Sequence, residues 1–281
     1  MRFPPTVRHA ALIVTVAASV LVAAPPAEAR AAQHCGMRIK HNFTLHRNLH
    51  NCRGDGLVVA ANNITVKLAG HVVDGRNRRI TAGVRVTGFH GVTVQGGVIR
   101  QFGKGIWLVR ANNNRILRNT ISGSADEGVF TNETSSRNLI KGNRISWSGT
   151  RIHARDADGI DARGDGIRIV ANSIRHSNDD GIDVNGAGVT IDGNNVSGSV
   201  HDGIDVDGTD VLVQNNVSTG NGDDGIRTSH TSARVTLINN ITNGNADLGI
   251  QTVSGSAVDG GGNRASGNLD TRQCLRISCS P

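Results

Sequence analysis

The stretch that decides the fold runs from Asp158 to His230 and reads DGIDARGDGIRIVANSIRHSND, DGIDVNGAGVTIDGNNVSGSVH, DGIDVDGTDVLVQNNVSTGNGD and DGIRTSH. An Asp-Gly-Ile tripeptide begins at Asp158, Asp180, Asp202 and Asp224, which is a period of 22 residues. A fixed period of this size is typical of a solenoid, because one repeat cannot bury its apolar face without a stacked neighbour.

The tripeptide continues in a looser Gly-aliphatic form over most of the chain. The glycines are Gly83, Gly105, Gly128, Gly159, Gly181, Gly203, Gly225 and Gly249, with steps of 22, 23, 31, 22, 22, 22 and 24 residues. The pattern therefore indicates one structural unit copied along the chain, with an insertion in the step of 31.

Each repeat contains short runs in which apolar and polar residues alternate, such as Gly-Ile-Asp-Val and Val-Thr-Ile. Such runs predict strands with one buried face, and the Gly, Asn, Asp and Ser residues between them predict turns. The repeats resemble the right-handed parallel β-helix proteins of the pectin-lyase-like fold, over about Gly56 to Asn268. The resemblance implies an all-β solenoid of about nine or ten rungs with a 22-residue repeat.

The N-terminus has the order of a secretory signal peptide. Two arginines, Arg2 and Arg8, precede an apolar run over 10–24, which is followed by Ala27-Glu28-Ala29. The run is shorter than the roughly 20 residues of a membrane span, so we prefer a signal peptide to an anchor and expect no stable membrane insertion. The predicted domains are a signal peptide (1–29) and a single β-helix domain (30–281), made of an N-terminal cap (30–55), rungs (56–268) and a C-terminal cap (269–281).

Four cysteines lie outside the repeats, two at each end: Cys35, Cys52, Cys274 and Cys279. They allow three pairings, of which we prefer the local ones because these need no contact between opposite ends of a long solenoid. Disulfides are typical of exported proteins. We therefore expect a secreted protein, extracellular or associated with a cell wall.

Charge is divided unevenly along the predicted solenoid. Residues 30–158 contain 20 Lys and Arg against 7 Asp and Glu, whereas residues 159–249 contain 5 against 13. A basic half favours an acidic polymer as the partner. Nucleic acid is not expected, because the chain has only five Phe, two Trp and no Tyr and shows no stacking pattern. We expect a monomer.

Aspartates form two predicted columns. Strand alternation places the Asp of Gly-Ile-Asp-Val on the outer face, so Asp161, Asp183 and Asp205 form one column that should face solvent, with Arg227 next in line. Asp158, Asp180, Asp202 and Asp224 form the other. Like charges on adjacent strands repel, so the columns require raised pKa values, a basic partner or a cation. Asp161, Asp183 and Asp205 are the candidate Ca²⁺ ligands; no other cofactor is expected.

The same region resembles the polygalacturonase family of glycoside hydrolases. The family order Asn-Thr-Asp-Gly-Ile-Asp, Gly-Asp-Asp-Cys-Ile, Gly-His-Gly and Arg-Ile-Lys corresponds to residues 156–161, 178–182, 201–203 and 227–229. The resemblance implies Asp179 as the acid, Asp158 and Asp180 as the carboxylates that activate water, and Arg227 as a substrate clamp. The chain departs from the family at the histidine position, which holds Asp202 with His201 one residue earlier, and at the lysine position, which holds Ser229.

The insertion ends immediately before Asp158 and could form the wall of a groove. It contains four candidate substrate-binding residues: Trp147, Arg151, His153 and Arg155. A Trp can stack on a sugar ring and Arg can pair with uronate carboxylates. A tolerated surface insertion is the alternative.

Asparagines recur at one point of the rung: Asn119, Asn143, Asn172, Asn194, Asn216, Asn239 and Asn263. Stacked Asn side chains can hydrogen-bond along the axis of a solenoid. We interpret this column as structural.

The sequence thus predicts an exported β-helix that binds an acidic, uronate-rich polysaccharide and cleaves it by polygalacturonase-like hydrolysis. One alternative is a lyase or epimerase in which the Asp columns hold Ca²⁺ and Arg227 or His201 is the base. The other is a non-catalytic, adhesive binding module whose Asp columns belong only to the repeat consensus.

Overall fold

The computed structural model describes residues 33–150 and 157–281. The predicted signal peptide lies outside the described residues, and Gln33–Pro281 form one compact unit. The described residues form thirty β-strands, numbered here in chain order, and contain no α-helix. Accordingly, this part of the chain has no helix that is long and apolar enough to cross a membrane.

The first sheet has eleven parallel strands. They are β1 (Met37–Ile39), β3 (Leu57–Val59), β6 (Ala82–Thr87), β9 (Lys104–Val109), β12 (Val129–Thr131), β15 (Ile160–Ala162), β18 (Ile182–Val184), β21 (Ile204–Val206), β24 (Ile226–Thr228), β27 (Ile250–Gln251) and β30 (Cys274–Leu275). The repeated spacing of the glycines along the chain places one such strand in every turn.

The second and third sheets have ten and nine parallel strands. The second consists of β2 (Phe43–Thr44), β4 (Thr65–Lys67), β7 (Thr93–Gln95), β10 (Arg115–Leu117), β13 (Leu139–Lys141), β16 (Arg168–Val170), β19 (Thr190–Asp192), β22 (Leu212–Gln214), β25 (Val235–Ile238) and β28 (Ala257–Asp259). The third consists of β5 (Val72–Asp74), β8 (Val98–Arg100), β11 (Thr120–Ser122), β14 (Arg144–Ser146), β17 (Ser173–Arg175), β20 (Asn195–Ser197), β23 (Val217–Thr219), β26 (Ile241–Asn243) and β29 (Arg264–Ser266). Three strands per turn confirm the predicted solenoid.

The register stacks identical positions of successive repeats. Ile160 pairs with Ile182, and Ile182 with Ile204, so each inward isoleucine lies against the next one along the axis. All three are fully buried. Burial of such a side chain is worth about 1.5–3 kcal/mol, and the columns form the continuous core that the repeat period predicts.

Glycine is required in the Asp-Gly-Ile tripeptide because the turns approach closely there. A Cβ on Gly159 would lie 2.3 Å from Cγ2 of Ile174 and 2.5 Å from the carbonyl oxygen of Gly181. No larger residue fits at that distance.

The asparagine column forms a buried ladder. The backbone N–H and the side-chain amide of Asn172 both donate to Oδ1 of Asn194, at 2.9 and 3.0 Å, and the pattern repeats along the column. The prediction was wrong at one position: Asn216 donates to Asn240, whereas Asn239 precedes the ladder with a left-handed φ of 52°. The chain there reads Asn-Asn within a repeat of 24 residues, so the spacing could not tell the two apart.

Disulfides close both ends of the solenoid. Cys35 pairs with Cys52 and Cys274 with Cys279, which are the local pairings that the sequence favoured. Strands β1 and β30 pair with β3 and β27, so the first sheet extends into both segments that we expected to act as caps.

Candidate active site

The two aspartate columns lie side by side on the first sheet. In β15, β18 and β21, Asp161 pairs with Asp183 and Asp183 with Asp205, and Arg227 of β24 continues the column. The other column consists of Asp158, Asp180, Asp202 and Asp224. Each of them lies two residues before the first residue of a strand of this sheet. The 22-residue period stacks each column, and the turn before each strand brings the two columns together: one carboxylate oxygen each of Asp158, Asp161 and Asp183 lies within 4.8 Å of the others.

The expectation that the Asp161 column faces solvent is wrong for two of its members. Asp161 is fully buried and Asp205 is only 8% exposed, while Asp183 is half-buried. The guanidinium of Arg163 lies over Asp161, with Nη2 2.8 Å from Oδ2. In the same way Nη1 of Arg227 donates to Oδ2 of Asp205 at 2.7 Å.

The column that precedes the glycines has a structural role that the sequence did not reveal. Oδ1 of Asp158 accepts the backbone N–H of Asp180 at 2.9 Å, and Oδ1 of Asp180 accepts that of Asp202 at 2.7 Å. Asp202 and Asp224 continue the pattern, the latter by accepting the N–H of Leu248. One oxygen of each carboxyl group therefore joins successive turns.

Burial and mutual repulsion make these groups weak acids. Burial, together with the charges of neighbouring aspartates, raises the pKa of Asp180 to about 9 and that of Asp183 to about 8. The same causes raise the pKa of Asp202 to about 8 and hold that of Asp158 far above its ordinary value. In Asp205 the charge of Arg227 opposes the effect of burial, and the pKa is about 6. Most of these carboxyl groups are therefore protonated at neutral pH.

An open cavity of about 480 Å³ exposes the acidic face. Its lining consists of Glu133, Asp158, Arg163, Asp179, Asp180, Asp183, Asn185, Asp205 and Asp207. Arg163 was missed by the sequence reasoning, although its position two residues after Asp161 on an alternating strand places it on the same face. Arg163 also approaches Glu133, with Nη1 and Oε1 3.8 Å apart.

Three of the predicted catalytic residues meet at the edge of this cavity. Nδ1 of His201 contacts Oδ1 of Asp179, and the side chain of His201 is 63% exposed. One ligand atom each of Asp179, Asp180 and His201 lies within 4.8 Å of the others. Asp179 and Asp180 are both half-buried.

The remaining predicted site residues lie partly beside the acidic cavity and partly away from it. Asp158 lines the cavity and Asp202 bonds to Asp180 beside it. Arg227 lies between Asp205 and Asp202, with Nη1 3.7 Å from Oδ2 of Asp202. Trp147 lies outside the acidic cavity, stacked on His176. Arg151, His153 and Arg155 lie outside the described residues.

The carboxyl groups could hold a hard cation. Asp161 and Asp183, two of the three candidate Ca²⁺ ligands, group with Asp158 within 4.8 Å. The third, Asp205, is paired instead with Arg227. Carboxylate oxygens are the ligands that Ca²⁺ prefers in proteins.

The outer face of the first sheet has a different character towards the N-terminus. There the column that contains Asp161 is occupied by Arg85, Trp107 and Phe130. The guanidinium of Arg85 lies 4.1 Å from the Trp107 ring centroid, and Nζ of Lys104 lies 4.8 Å from that of Phe130. A cationic and aromatic segment thus adjoins the acidic one along the axis.

Two family models match the chain. One, described as "Right handed beta helix region", matches residues 146–269, and the other, "Periplasmic copper-binding protein (NosD)", matches residues 31–164. The protein is a right-handed parallel β-helix. A comparison with curated protein sequences gives no significant match to this β-helix.

Solved structures share the β-helix at low sequence identity. An alginate lyase from Paenibacillus sp. str. FPU-7 is 19% identical with a TM-score of 0.63, over 86% of this chain and 90% of the lyase. The periplasmic alginate epimerase AlgG is 14% identical with a TM-score of 0.66, over 86% and 73%. The Dettilon tailspike protein is 15% identical with a TM-score of 0.56, over 86% and 60%. At these identities the likeness establishes the pectin-lyase-like fold.

Proposed function

We propose that this β-helix is an exported enzyme that processes a uronate-containing polysaccharide by removing the proton at C5 of a uronate, as a lyase or an epimerase. The contact between Asp179 and His201 beside the protonated carboxyl group of Asp180 carries the proposal. The fold that the chain shares with an alginate lyase and an alginate epimerase supports it.

The chemistry requires a base, a proton donor and a partner for the uronate carboxylate. Asp179 orients the His201 ring through Nδ1, which leaves Nε2 of an exposed ring as the base. The base takes the C5 proton. In elimination the C4–O4 bond then breaks and O4 takes the proton of Asp180, whereas in epimerisation C5 takes a proton on its opposite face from water in the open cavity.

The raised pKa values explain how an anionic polymer could enter an acidic cavity. With pKa values of about 8–9, Asp180, Asp183 and Asp202 are largely neutral at pH 7. Arg163 lines the cavity, and Arg227 is bound to Asp205 of its wall. Neutral carboxyl groups can donate hydrogen bonds to a uronate, and Arg163 and Arg227, which are paired with Asp161 and Asp205, can share their remaining N–H donors with it.

Polygalacturonase-like hydrolysis by the same residues is the second candidate, favoured by the order of Asp158, Asp179 and Asp180 in the sequence. It requires Asp158 to activate water. That residue is 2% exposed and one of its oxygens already accepts the N–H of Asp180. Proton abstraction by the exposed His201 meets no such obstacle, and we therefore place it first.

Export is supported by the two disulfides, by the signal-peptide pattern and by the description of NosD as periplasmic. That description also names copper for NosD. In this chain the three groups of neighbouring metal-ligand side chains in the described residues contain eight carboxyl groups and one imidazole. Such oxygen-rich sets suit Ca²⁺ better than copper, so Ca²⁺ is the cation to test.

The test is an assay of the purified protein on alginate, polymannuronate and polygalacturonate, with Ca²⁺ or with chelator. Elimination produces an unsaturated, ultraviolet-absorbing end, epimerisation changes the proton NMR spectrum without cleavage, and hydrolysis produces only new reducing ends. We expect Asp179→Asn and His201→Gln each to lower kcat/KM by about 10²–10⁴.

Asp223→Asn is the matched control, because Asp223 occupies the position of Asp179 two turns further on and is exposed. It should retain activity. If wild type leaves every polymer unchanged, or if the three variants behave alike, the enzyme proposal fails. The adhesive binding module then becomes the better interpretation.

A further inference from the structure

A second cavity, of about 210 Å³, lies next to the acidic one and is walled by two stacked rings. The indole of Trp147 and the imidazole of His176 have centroids 4.4 Å apart and planes inclined by 22°. Trp147 is 58% exposed, and Val200 in the same wall is 52% exposed. An aromatic and apolar surface is therefore open to solvent beside the candidate active site.

The two rings occupy backbone positions at which the fold favours glycine. Trp147 and His176 have φ values of 58° and 56°, immediately after β14 and β17 of the third sheet. The equivalent positions after six of the other strands of this sheet are Gln101, Gly123, Gly198, Gly220, Gly244 and Gly267, all with positive φ. A bulky residue is unfavourable in this left-handed region. Since glycine serves in five of these eight turns, folding does not require a ring at either position.

Neighbouring glycines keep the rings accessible. Gly198 follows His176 along the column, and a Cβ there would lie 2.9 Å from Nδ1 of the ring. The imidazole can therefore lie flat against the next turn while Trp147 covers its other face. On the opposite side of Trp147 the column holds Gly123, which has no side chain to cover the indole.

The ring stack and the acidic cavity lie on the two sides of one turn. Asn178 lines the cavity of the rings and Asp179, the next residue, lines the acidic cavity. His176 is three residues from Asp179, so their Cα atoms are at most about 11 Å apart. One sugar chain could contact both at once.

We propose that Trp147 and His176 form a pyranose-binding subsite, so that the sugar chain crosses the turns from the acidic cavity over Asn178 onto the rings. The C–H face of a pyranose packs on the indole, as apolar faces do on aromatic rings, and its hydroxyl groups meet the polar wall at Asn178 and Thr150. The proposal rests on the proposed function and names its substrate-positioning residues.

The test uses tryptophan fluorescence, because the chain has only two tryptophans. In a Trp107→Phe variant Trp147 is the only reporter, and its emission should change saturably on titration with uronate oligosaccharides. Trp147→Gly, in the otherwise wild-type chain, should weaken oligosaccharide binding by about tenfold, the effect of one aromatic stacking contact. It should leave Tm unchanged or raise it, because glycine relieves the left-handed backbone. His176→Gly should act in the same direction, and Trp107→Phe should bind like wild type.

A fall in Tm with unchanged binding in Trp147→Gly would show that the rings are structural and would overturn the proposal. The same holds if no saccharide changes the emission of Trp147. Neutral oligosaccharides separate this proposal from the enzymatic one: a response to neutral sugars alone keeps the subsite and removes uronate processing. Conversely, uronate turnover with a KM that Trp147→Gly leaves unchanged keeps the function and removes the subsite.

Discussion

Individual aspartates of the column before the glycines combine a structural and a chemical property. Each uses Oδ1 to accept a backbone N–H of the next turn. Asparagine performs the same stacking role without charge in the buried ladder of Asn172 and Asn194. Stacking alone therefore does not explain the choice of aspartate, which adds a titratable group and a cost from repulsion. That choice is consistent with a proton-transfer role.

The stacking role can be separated from the chemistry at Asp224, which lies at the end of the column. Asp224→Ala leaves the buried N–H of Leu248 without its acceptor, and we expect it to lower the free energy of unfolding by about 1–3 kcal/mol. Asp224→Asn keeps a carbonyl oxygen at that place and should remain within about 1 kcal/mol of wild type. Denaturant unfolding at neutral pH measures both. Equal losses of stability in the two variants would contradict the stacking role of the aspartate column.

At the scale of the element, the buried asparagine ladder holds the second and third sheets in register. From Asn143 onward each member donates through its side-chain amide and accepts at Oδ1, and Asn194 also donates to the carbonyl oxygen of Ile169. The backbone N–H of Asn172 and that of Asn194 each donate to the side chain of the next asparagine, so the side chains supply the acceptors that these buried N–H groups need.

Asn194→Ala should therefore lower the free energy of unfolding by about 1–3 kcal/mol, because it leaves the buried N–H of Asn172 without its acceptor and removes the amide donor to the carbonyl of Ile169. Asn195→Ala is the control. Asn195 is the next residue and is exposed, and we expect a change within about 0.5 kcal/mol. Chemical denaturation of the two variants in parallel checks the prediction, which a loss of the same size in Asn195→Ala would refute.

For the whole molecule, the acidic half of the solenoid should make stability depend on pH. Burial raises the pKa values of Asp180, Asp183 and Asp202 from an ordinary value of 3.8 to about 8–9. Between about pH 4 and pH 9 the folded state thus binds protons that the unfolded chain releases. Stability must fall as pH rises through this window.

We expect Tm to be lower at pH 9 than at pH 5. One pKa unit corresponds to about 1.4 kcal/mol, and about 1 kcal/mol shifts the Tm of a chain of 150–250 residues by roughly 2–4 °C, so the difference should be readily measurable. Scanning calorimetry across this range checks it. A Tm that rises steadily from pH 5 to pH 9 would mean that the carboxyl groups are ionised and paired in the folded state.

Ca²⁺ should counteract the loss at high pH. A cation that binds only the folded state stabilises it by mass action, and Asp158, Asp161 and Asp183 can serve as ligands only when deprotonated. Added Ca²⁺ should therefore raise Tm more at pH 9 than at pH 5, and chelator should reverse the effect. If neither Ca²⁺ nor chelator changes Tm at pH 9, the proposed cation site is wrong.

The sequence by itself determined the solenoid, its stacked parallel strands and the two aspartate columns of the acidic face. A period of 22 residues stacks Asp161 on Asp183 and Asp183 on Asp205, and strand alternation places them outside the isoleucine core. Both are local, repeated properties, and this is why they can be derived without coordinates. The same logic failed at Asn239 and Asn240, where the repeat changes length, and it wrongly placed Asp161 and Asp205 in solvent.

Only the tertiary structure decided how buried each acidic group is and what lies beside it. Asp161 is covered because Arg163 folds back over it. The side chain of Asp205 forms an ion pair with Arg227 of the next turn and does not join the group of Asp158, Asp161 and Asp183. His176 and Trp147 are 29 residues apart in the chain and stack because the insertion leaves their turns adjacent. Side-chain direction and the approach of neighbouring turns depend on the packed whole, and no period in the sequence encodes them.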